Sequence, residues 1–192
     1  MEIKLLTMNE MPQALQIARG VFDYCLRKSI PNPENIGGFE SYANEENVRS
    51  LMEQGRLLLW AAYEMGHMVA MSGMQSEGHI TMLYVLPVYQ RRGYGRQLLL
   101  AMRKYARSQY GLPVVTVTAM PAWTASYFQR QRFNALDPMQ VTMAPYVYMQ
   151  AKSIQEISYE KKQIPAGALI GTAVGGLAAC MFVAFLFMAT YF

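Results

Sequence analysis

The chain has 192 residues, of which 53% are hydrophobic, and a formal net charge of +4. This length accommodates one domain with a sizeable core and an additional segment. The modest positive charge favours anionic ligands or lipid headgroups and does not point to nucleic acid. Cys25, Cys180 and the two histidines lack the spacing of metal ligands, so we expect no metal and a reducing compartment.

The first quarter of the chain predicts a short strand, two helices and a long loop. Ile3 to Leu6 alternates weakly as a strand does, and Asn9 is a suitable N-cap for the first helix. From Ser29 to Tyr42, two prolines and the pair Gly37-Gly38 predict a long loop, which is either functional or a plain surface connection. Asn44 then caps a second, short helix.

The middle of the chain predicts a sheet with one long and one short helix, the latter over Thr124–Gln131. Three strands form an antiparallel meander, and a crossover helix makes the next strand parallel to the third. The predicted strands are Leu57–Tyr63, Met68–Met74, Ile80–Val85 and Val114–Thr118, with one or two more within Phe133–Leu136 and Val141–Met149.

The segment from Tyr84 to Leu99 predicts a strand, a basic glycine-containing turn and an amphipathic helix. Gly93 and Gly95 lack a Cβ, so the backbone is able to lie close to a ligand. The first amides of the following helix have no partners within the helix, and such a helix start binds anions such as phosphate. The segment is not a nucleotide P-loop, because no Lys-Ser or Lys-Thr pair follows the second glycine.

This turn resembles a known motif. Residues Gln90 to Gly95 fit the GNAT superfamily pattern of Gln or Arg, two variable residues, Gly, one variable residue, and Gly or Ala. The family's lead-in is present at Val85 and Pro87, and its leucine pair at Leu98-Leu99. The order of the predicted elements over residues 1–150 is also that of GNAT N-acetyltransferases. The resemblance implies an α/β GNAT acyl-CoA N-acyltransferase fold, with a mixed central sheet of six to seven strands and about four helices.

The resemblance also implies that acetyl-CoA is a co-substrate. In the family, amides of the glycine turn hold the pyrophosphate, basic side chains add charge, and the preceding strand binds the pantetheine arm. A solvated helix face is the alternative for the arginines. The residues that we expect to bind acetyl-CoA are Leu83, Val85, Gln90, Arg91, Arg92, Gly93, Tyr94, Gly95, Arg96 and Phe128.

Two side chains are candidates for the base that deprotonates an amine. His79 lies on the strand that enters the motif, where several GNAT enzymes carry a Glu or His base, and Glu77 lies nearby. An imidazole with a pKa of about 6.5 suits this task. The alternative is a histidine without a role at the end of a hairpin, next to Gly78.

The residues around the expected catalytic acid, which returns a proton to the departing CoA sulfur, differ from the family pattern. In the family, a tyrosine near the CoA sulfur lies on the helix after the fifth strand, but Phe128 takes that place here and Arg132 replaces the family glycine. The adjacent Tyr127 is the candidate, although it points about 100° away around a helix. Core packing is the alternative for Tyr127, and Tyr146, Tyr148 or unassisted departure of the thiolate are alternatives for the proton transfer.

Residues 164–192 contain no Lys, Arg, Asp or Glu. An uncharged apolar run longer than about 20 residues predicts a transmembrane helix, and a buried hairpin or core helix is the alternative. Lys152, Lys161 and Lys162 precede the run and no charge follows it. We therefore expect a single-pass, tail-anchored membrane protein whose N-terminal domain is cytosolic.

Small residues recur within this apolar run. Gly167, Gly171 and Gly175 are spaced so that they share one helix face, which permits close helix approach and a homodimer. Glycine is also common in membrane helices that do not associate, so a merely compact span is the alternative.

The sequence thus predicts three parts: a GNAT N-acetyltransferase domain over 1–150, a juxtamembrane linker over 151–163 and a transmembrane helix over 164–192. The expected activity is transfer of an acetyl group from acetyl-CoA to a primary amine of a small molecule or protein. The alternative is a catalytically weak or inactive acyl-CoA-binding module, anchored at the membrane for regulation or recruitment.

Overall fold

A computed structural model describes residues 1–30, 33–136 and 147–154, and its centre is a seven-stranded mixed sheet. The strands lie in the order β1-β2-β3-β4-β5-β7-β6, and every neighbouring pair is antiparallel except β4 and β5. They are β1 Glu2–Leu5, β2 Leu57–Glu64, β3 His67–Gln75, β4 His79–Val85, β5 Val114–Ala119, β6 Asn134–Ala135 and β7 Val147–Lys152. The predicted α/β class and the parallel fourth and fifth strands are confirmed.

Within the described residues, five α-helices cover the two faces of this sheet. They are α1 Met11–Val21, α2 Pro33–Tyr42, α3 Glu45–Glu53, α4 Tyr94–Tyr110 and α5 Ala125–Arg130. One core cluster joins apolar residues of α1 and α3 to β2, β3 and β4, and a second joins α4 and α5 to β2–β5 and β7. A π-helical turn, Phe22–Leu26, continues α1.

The helix α2 was not predicted, and with it the described part of the chain contains five α-helices where about four were expected. Proline is tolerated at the start of a helix, where its missing amide has no partner to lose, so Pro33 begins α2 instead of excluding it. The low helix propensity of two adjacent glycines is offset by packing. The Phe39 ring stacks on the Phe22 ring at a centroid distance of 3.8 Å and meets the Tyr84 ring edge-on at 5.9 Å.

The starts of two helices lie at or next to the predicted N-cap residues. The Asn44 side chain accepts a hydrogen bond of 2.8 Å from the Glu46 amide at the start of α3, as an N-cap should. The first helix differs by one residue, because Glu10 and not Asn9 occupies its N-cap. The Glu10 carboxylate accepts hydrogen bonds from the amide and hydroxyl of Thr7 at 2.9 and 2.8 Å, which fixes the turn that enters α1.

The register of β4 leaves a gap beside it. Its parallel pairing with β5 comprises only His79 with Thr116 and Ile80 with Val117, after which the two strands part. On the other side, Gly73 and Met74 of β3 pair with Met82 and Ile80, so Thr81 is an extra residue in β4. Such a bulge bends a strand and increases its twist, which is consistent with β4 leaving β5.

Arg103 of α4 joins three parts of the fold. Its Nε and Nη2 donate to the Lys152 carbonyl at 2.9 and 2.6 Å, and its Nη1 donates to the Gln131 carbonyl at 3.3 Å. The guanidinium also lies over the Phe133 ring, 5.7 Å from its centroid. The long helix is thereby tied to the end of β7 and to the turn after α5.

In the part of the chain that the structure describes, no helix has both the length and the apolar character needed to cross a bilayer. The predicted transmembrane helix over 164–192, with Gly167, Gly171 and Gly175, lies outside the described residues.

Candidate active site

A cleft of about 640 Å³ occupies the gap between β4 and β5. One wall is β4 from Ile80 to Val85, and the other includes Val117 and Thr118 of β5. The turn after β4 lies at one end, while α5 and the end of α1 contribute further walls. Of the residues predicted to bind acetyl-CoA, those that line the cleft are Leu83, Val85, Gln90, Arg91, Gly93, Tyr94, Gly95, Arg96 and Phe128.

The glycine turn presents unpaired backbone amides. Gly93 is the N-cap of α4 with φ of 91°, a left-handed conformation that a glycine adopts without strain, and no side chain caps the helix. Tyr94, Gly95 and Arg96 form the first turn, so their amides have no acceptor within the helix. Arg91 also has a positive φ, of 62°, which is uncommon for a residue with a Cβ. This arrangement suits an anion.

The arginines of the turn divide into two groups. Arg91 and Arg96 line the cleft, together with Arg130 from α5. Arg92 does not line it: its Nη1 lies 3.9 Å from Oε2 of Glu64, and its guanidinium stacks over the Tyr89 ring at 5.4 Å. Three cations are therefore available to a phosphate in the cleft, and Arg92 is held at the end of β2.

The exposed backbone of β4 forms the next part of the cleft. The Leu86 amide donates to Val69 of β3 at 3.0 Å, and hydrogen-bonding direction alternates along an antiparallel strand. The backbone groups of Leu83 and Val85 therefore point towards β5, from which β4 has parted. The Gln90 side-chain amide donates to the Val85 carbonyl at 3.0 Å and so ties the turn to the strand.

The two base candidates lie at the closed end of the gap. His79 begins β4, half-buried, with Nδ1 2.8 Å from the Thr116 hydroxyl and Nε2 3.3 Å from the Thr118 hydroxyl. Burial lowers the pKa of His79, and the negative charge of Glu77 opposes this shift. Glu77 itself is exposed and accepts a hydrogen bond of 3.0 Å from Ser76. Neither side chain lines the cleft.

The reversed aromatic pair places Phe128 in the core and Tyr127 against the glycine turn. Phe128 packs edge-on against both Tyr127 and Phe133. The Tyr127 hydroxyl is buried without a hydrogen-bond partner among the described residues, and it lies 2.6 Å from the position that a Cβ on Gly95 would occupy. Burial raises the pKa of Tyr127 to about 12, opposed by the charge of Arg130.

Sequence reasoning missed several residues of the site. Thr116 and Thr118 flank the candidate base, and Cys25 and Trp123 line the cleft, with Trp123 60% exposed. The alternation Val-Val-Thr-Val-Thr-Ala in β5 indicates that both threonines share one face. Their contact with His79 depends on the register of two strands far apart in sequence, which no local pattern encodes.

A model of the GNAT acetyltransferase domain matches residues 28–152 of the sequence. The chain belongs to the GNAT acetyltransferase family. The parting of β4 from β5 and the uncapped α4 are thus features of a GNAT domain. The family membership predicted from the sequence is confirmed. A sequence comparison with curated proteins found no match.

Solved structures of other GNAT proteins share this fold. The PaiA N-acetyltransferase of Thermoplasma acidophilum, solved in complex with coenzyme A, is 16% identical, with a TM-score of 0.64 over 79% of this chain and 99% of that one. A GCN5-related N-acetyltransferase of Rhodopseudomonas palustris is 19% identical, with a TM-score of 0.65 over 79% and 94%. The ribosomal-protein-alanine N-acetyltransferase of Brucella melitensis is 16% identical, with a TM-score of 0.55 over 79% and 99%.

From the contact between Tyr127 and Gly95 we predict how a substitution at Gly95 changes the stability of this GNAT domain. In Gly95→Ala, the new methyl group would lie 2.6 Å from the hydroxyl, so we expect a loss of about 1–3 kcal/mol in the free energy of unfolding. Adding Tyr127→Phe should restore most of that loss, because the next atoms are 3.5 and 3.7 Å away. Urea unfolding of the single and double variants measures both effects.

Gly20→Ala provides the matched control. Gly20 lies in α1, and no atom lies within 4 Å of the position that the alanine methyl group would occupy. This change should therefore stabilise the protein by up to about 1 kcal/mol. Independent, additive effects of Gly95→Ala and Tyr127→Phe would contradict the proposed contact.

Proposed function

We propose that the protein is an N-acetyltransferase that transfers the acetyl group of acetyl-CoA to a primary amine. The observation that carries the proposal is one continuous cleft. It runs from the uncapped start of α4 along the β5-facing backbone of β4, and Thr118 in its lining contacts the imidazole of His79. Family membership supports the reaction class.

The residues at the open end fit a pyrophosphate. Free amides at the start of a long helix attract a phosphate through hydrogen bonds and the helix dipole, and Arg91, Arg96 and Arg130 add positive charge. Gly95 leaves its backbone accessible on the side that Tyr127 does not cover. Binding of coenzyme A by the Thermoplasma protein, which has the same fold, is consistent with this assignment.

Acetyl-CoA supplies the thioester whose acetyl group the amine attacks. The backbone groups of Leu83 and Val85 are placed to bind the pantetheine amides and to polarise the thioester carbonyl. His79 is proposed as the base, and its lowered pKa keeps the imidazole neutral near pH 7, the form that accepts a proton. Glu77, exposed and outside the cleft, is the weaker candidate.

Tyr127 is proposed to assist the departing sulfur. With a pKa of about 12 its hydroxyl stays protonated at neutral pH, so it is available as a hydrogen-bond donor. Two family positions nearby are changed, Phe128 and Arg132, yet Arg132 keeps φ of 66°, the left-handed conformation for which a glycine is suited. The backbone after α5 is therefore compatible with the family geometry although the side chains differ.

The second candidate function is an acyl-CoA-binding module with little or no transfer activity. The observation that favours it is the position of Phe128, a buried ring where the family has a tyrosine. A module of this kind keeps the anion site at α4 and would act by recruitment or regulation. A measurement of thiol release with amines distinguishes this module from an enzyme.

Ligand binding and thiol release test the proposed function. Acetyl-CoA at about one hundred times its dissociation constant should raise the free energy of unfolding by roughly 2.7 kcal/mol. Free thiol should then appear with at least one amine from a panel of a polyamine, an amino sugar and a peptide with an N-terminal alanine. No stabilisation by acetyl-CoA would overturn both functions, while binding without turnover on any amine would favour the module.

Two arginine variants sharpen the binding measurement. Arg96→Ala removes a cation that lines the cleft and should weaken acetyl-CoA binding about tenfold, since a hydrogen bond to a charged group contributes about 1.5–3 kcal/mol. Arg92→Ala removes a cation that faces Glu64 and should change the dissociation constant much less. Equal effects of the two substitutions would contradict the placement of the arginines.

The pH dependence of the rate tests His79. Because its pKa is lowered below the usual value of about 6.5, the acid limb of kcat/KM should have its midpoint below pH 6.5. His79→Gln should remove that limb and lower kcat by about 10²–10⁴-fold. Binding of acetyl-CoA should persist. His67→Gln, at the exposed first residue of β3, is the matched control and should leave the profile unchanged.

The same lowered pKa affects stability. Below pH 6.5 the unfolded chain binds a proton at this histidine more readily than the folded chain, so the free energy of unfolding should fall as the pH decreases through that region. The fall should be smaller in His79→Gln.

A pH–rate profile of His79→Gln identical to that of the native protein would exclude His79 as the base.

We further propose that residues 164–192 anchor the enzyme to a membrane as one helix, with the catalytic domain on the cytosolic side. The absence of charge in this segment of the sequence supports the proposal. The full chain should partition into the detergent phase of a Triton X-114 separation. Leu177→Lys combined with Val183→Lys should shift it to the aqueous phase, because each charge costs about 2.5–3.5 kcal/mol at a helix centre. Aqueous partitioning of the native chain would contradict the anchor, and the homodimer through Gly167, Gly171 and Gly175 would fall with it.

A further inference from the structure

The base candidate contacts a side chain that lines the cleft. Val115, Val117 and Ala119 of β5 are buried in the core beside α4, so Thr116 and Thr118 alternate onto the opposite face of the strand. Thr118 lines the cleft and its hydroxyl lies 3.3 Å from Nε2 of His79. His79 does not line the cleft, and its ring is connected to the cleft lining by this contact with the Thr118 hydroxyl.

The second ring nitrogen of His79 also has a hydroxyl partner. Nδ1 lies 2.8 Å from the Thr116 hydroxyl. When Nδ1 carries the proton and donates it to Thr116, Nε2 is left with a lone pair directed at Thr118. The Thr118 hydroxyl is then able to donate to Nε2, while its own oxygen lone pairs remain available to a donor in the cleft. In this tautomer, which the contact with Thr116 accommodates, the imidazole accepts a proton from the cleft side.

We propose that Thr118 relays the proton from the substrate ammonium to His79. This inference rests on the proposed function. In the relay, an N–H bond of the ammonium breaks and an O–H bond forms on Thr118 as the original hydroxyl proton of Thr118 passes to Nε2. The products are a neutral amine, an unchanged threonine and an imidazolium. Thr116 is a positioning residue, because it acts on the reaction only through the ring of His79.

The relay explains how a half-buried histidine serves a reaction in the cleft. The charged group that acts on His79 is Glu77, which precedes β4 and favours the imidazolium once it forms. Threonine hydroxyls hold the ring from β5, and the pairing of β4 with β5 ends one residue later, at Ile80. The amine therefore need not approach the imidazole closely.

Thr118→Val and Thr118→Ser test the relay in the full-length protein. Valine has nearly the same shape and suits a strand, but it has no hydroxyl. With the panel amine that the native protein acetylates fastest, Thr118→Val should lower kcat about 100-fold or more, while acetyl-CoA binds with unchanged affinity. Thr118→Ser keeps a hydroxyl and should retain kcat within about threefold, an allowance for the freer rotation of serine.

Readouts beyond kcat separate a relay from a structural role. The rate of the native protein in mixtures of light and heavy water should curve with deuterium content, as two protons in motion require, and the curve should become linear in Thr118→Val. Thr118→Val combined with His79→Gln should be no slower than His79→Gln alone, because the two residues act as one unit.

The outcomes distinguish this inference from the proposed function. A Thr118→Val protein that keeps the native kcat, or a double variant whose losses multiply, would overturn the relay and leave the acetyltransferase intact. A native protein that binds acetyl-CoA but releases no thiol with any amine would overturn the proposed function and the relay together.

Discussion

The structure depends on the parting of two parallel strands. β4 and β5 pair through two residue pairs and then separate, which leaves the carbonyls and amides on the β5-facing edge of β4 without a neighbouring strand. Unpaired backbone groups are costly unless water or another group satisfies them. Gln90 satisfies one of them, the Val85 carbonyl, through its side chain. The rest of the edge is available to an amide-bearing ligand such as the pantetheine arm.

The long helix α4 keeps this gap in place. It packs against β2, β3, β4 and β5 on one face of the sheet, so its start is fixed beside the end of β4. At its middle, Arg103 donates to the carbonyls of Lys152 and Gln131 and thereby fixes β7 and α5 to the same helix. Both the turn that receives the anion and α5, the helix that carries Tyr127, are consequently attached to the same helix, α4. Small displacements of either would change the width of the cleft.

The sequence predicts those parts of the site that local chemistry determines. The strand, basic turn and helix from Tyr84 to Leu99 can be recognised because the glycines, the proline and the helical apolar period are neighbours in the chain. The helix α2 was missed because its stability comes from Phe39 packing on Phe22, a contact that outweighs the local effect of two glycines. The contacts of His79 with Thr116 and Thr118 were missed because they arise from the register between β4 and β5.

The reversed order of Tyr127 and Phe128 is linked to the presence of glycine at position 95 in the glycine turn. The family motif accepts either Gly or Ala at its last position, but the Tyr127 hydroxyl occupies the space that the methyl group of an alanine at position 95 would need. A tyrosine one residue further on would point about 100° away around the helix and leave that space free. Glycine at this position and the reversed aromatic pair are therefore coupled by packing. The coupling brings a buried hydroxyl into the wall of the cleft beside the start of α4. His79 and Tyr127 are thus held by independent contacts, His79 by its threonine partners on β5 and Tyr127 by its packing on the start of α4.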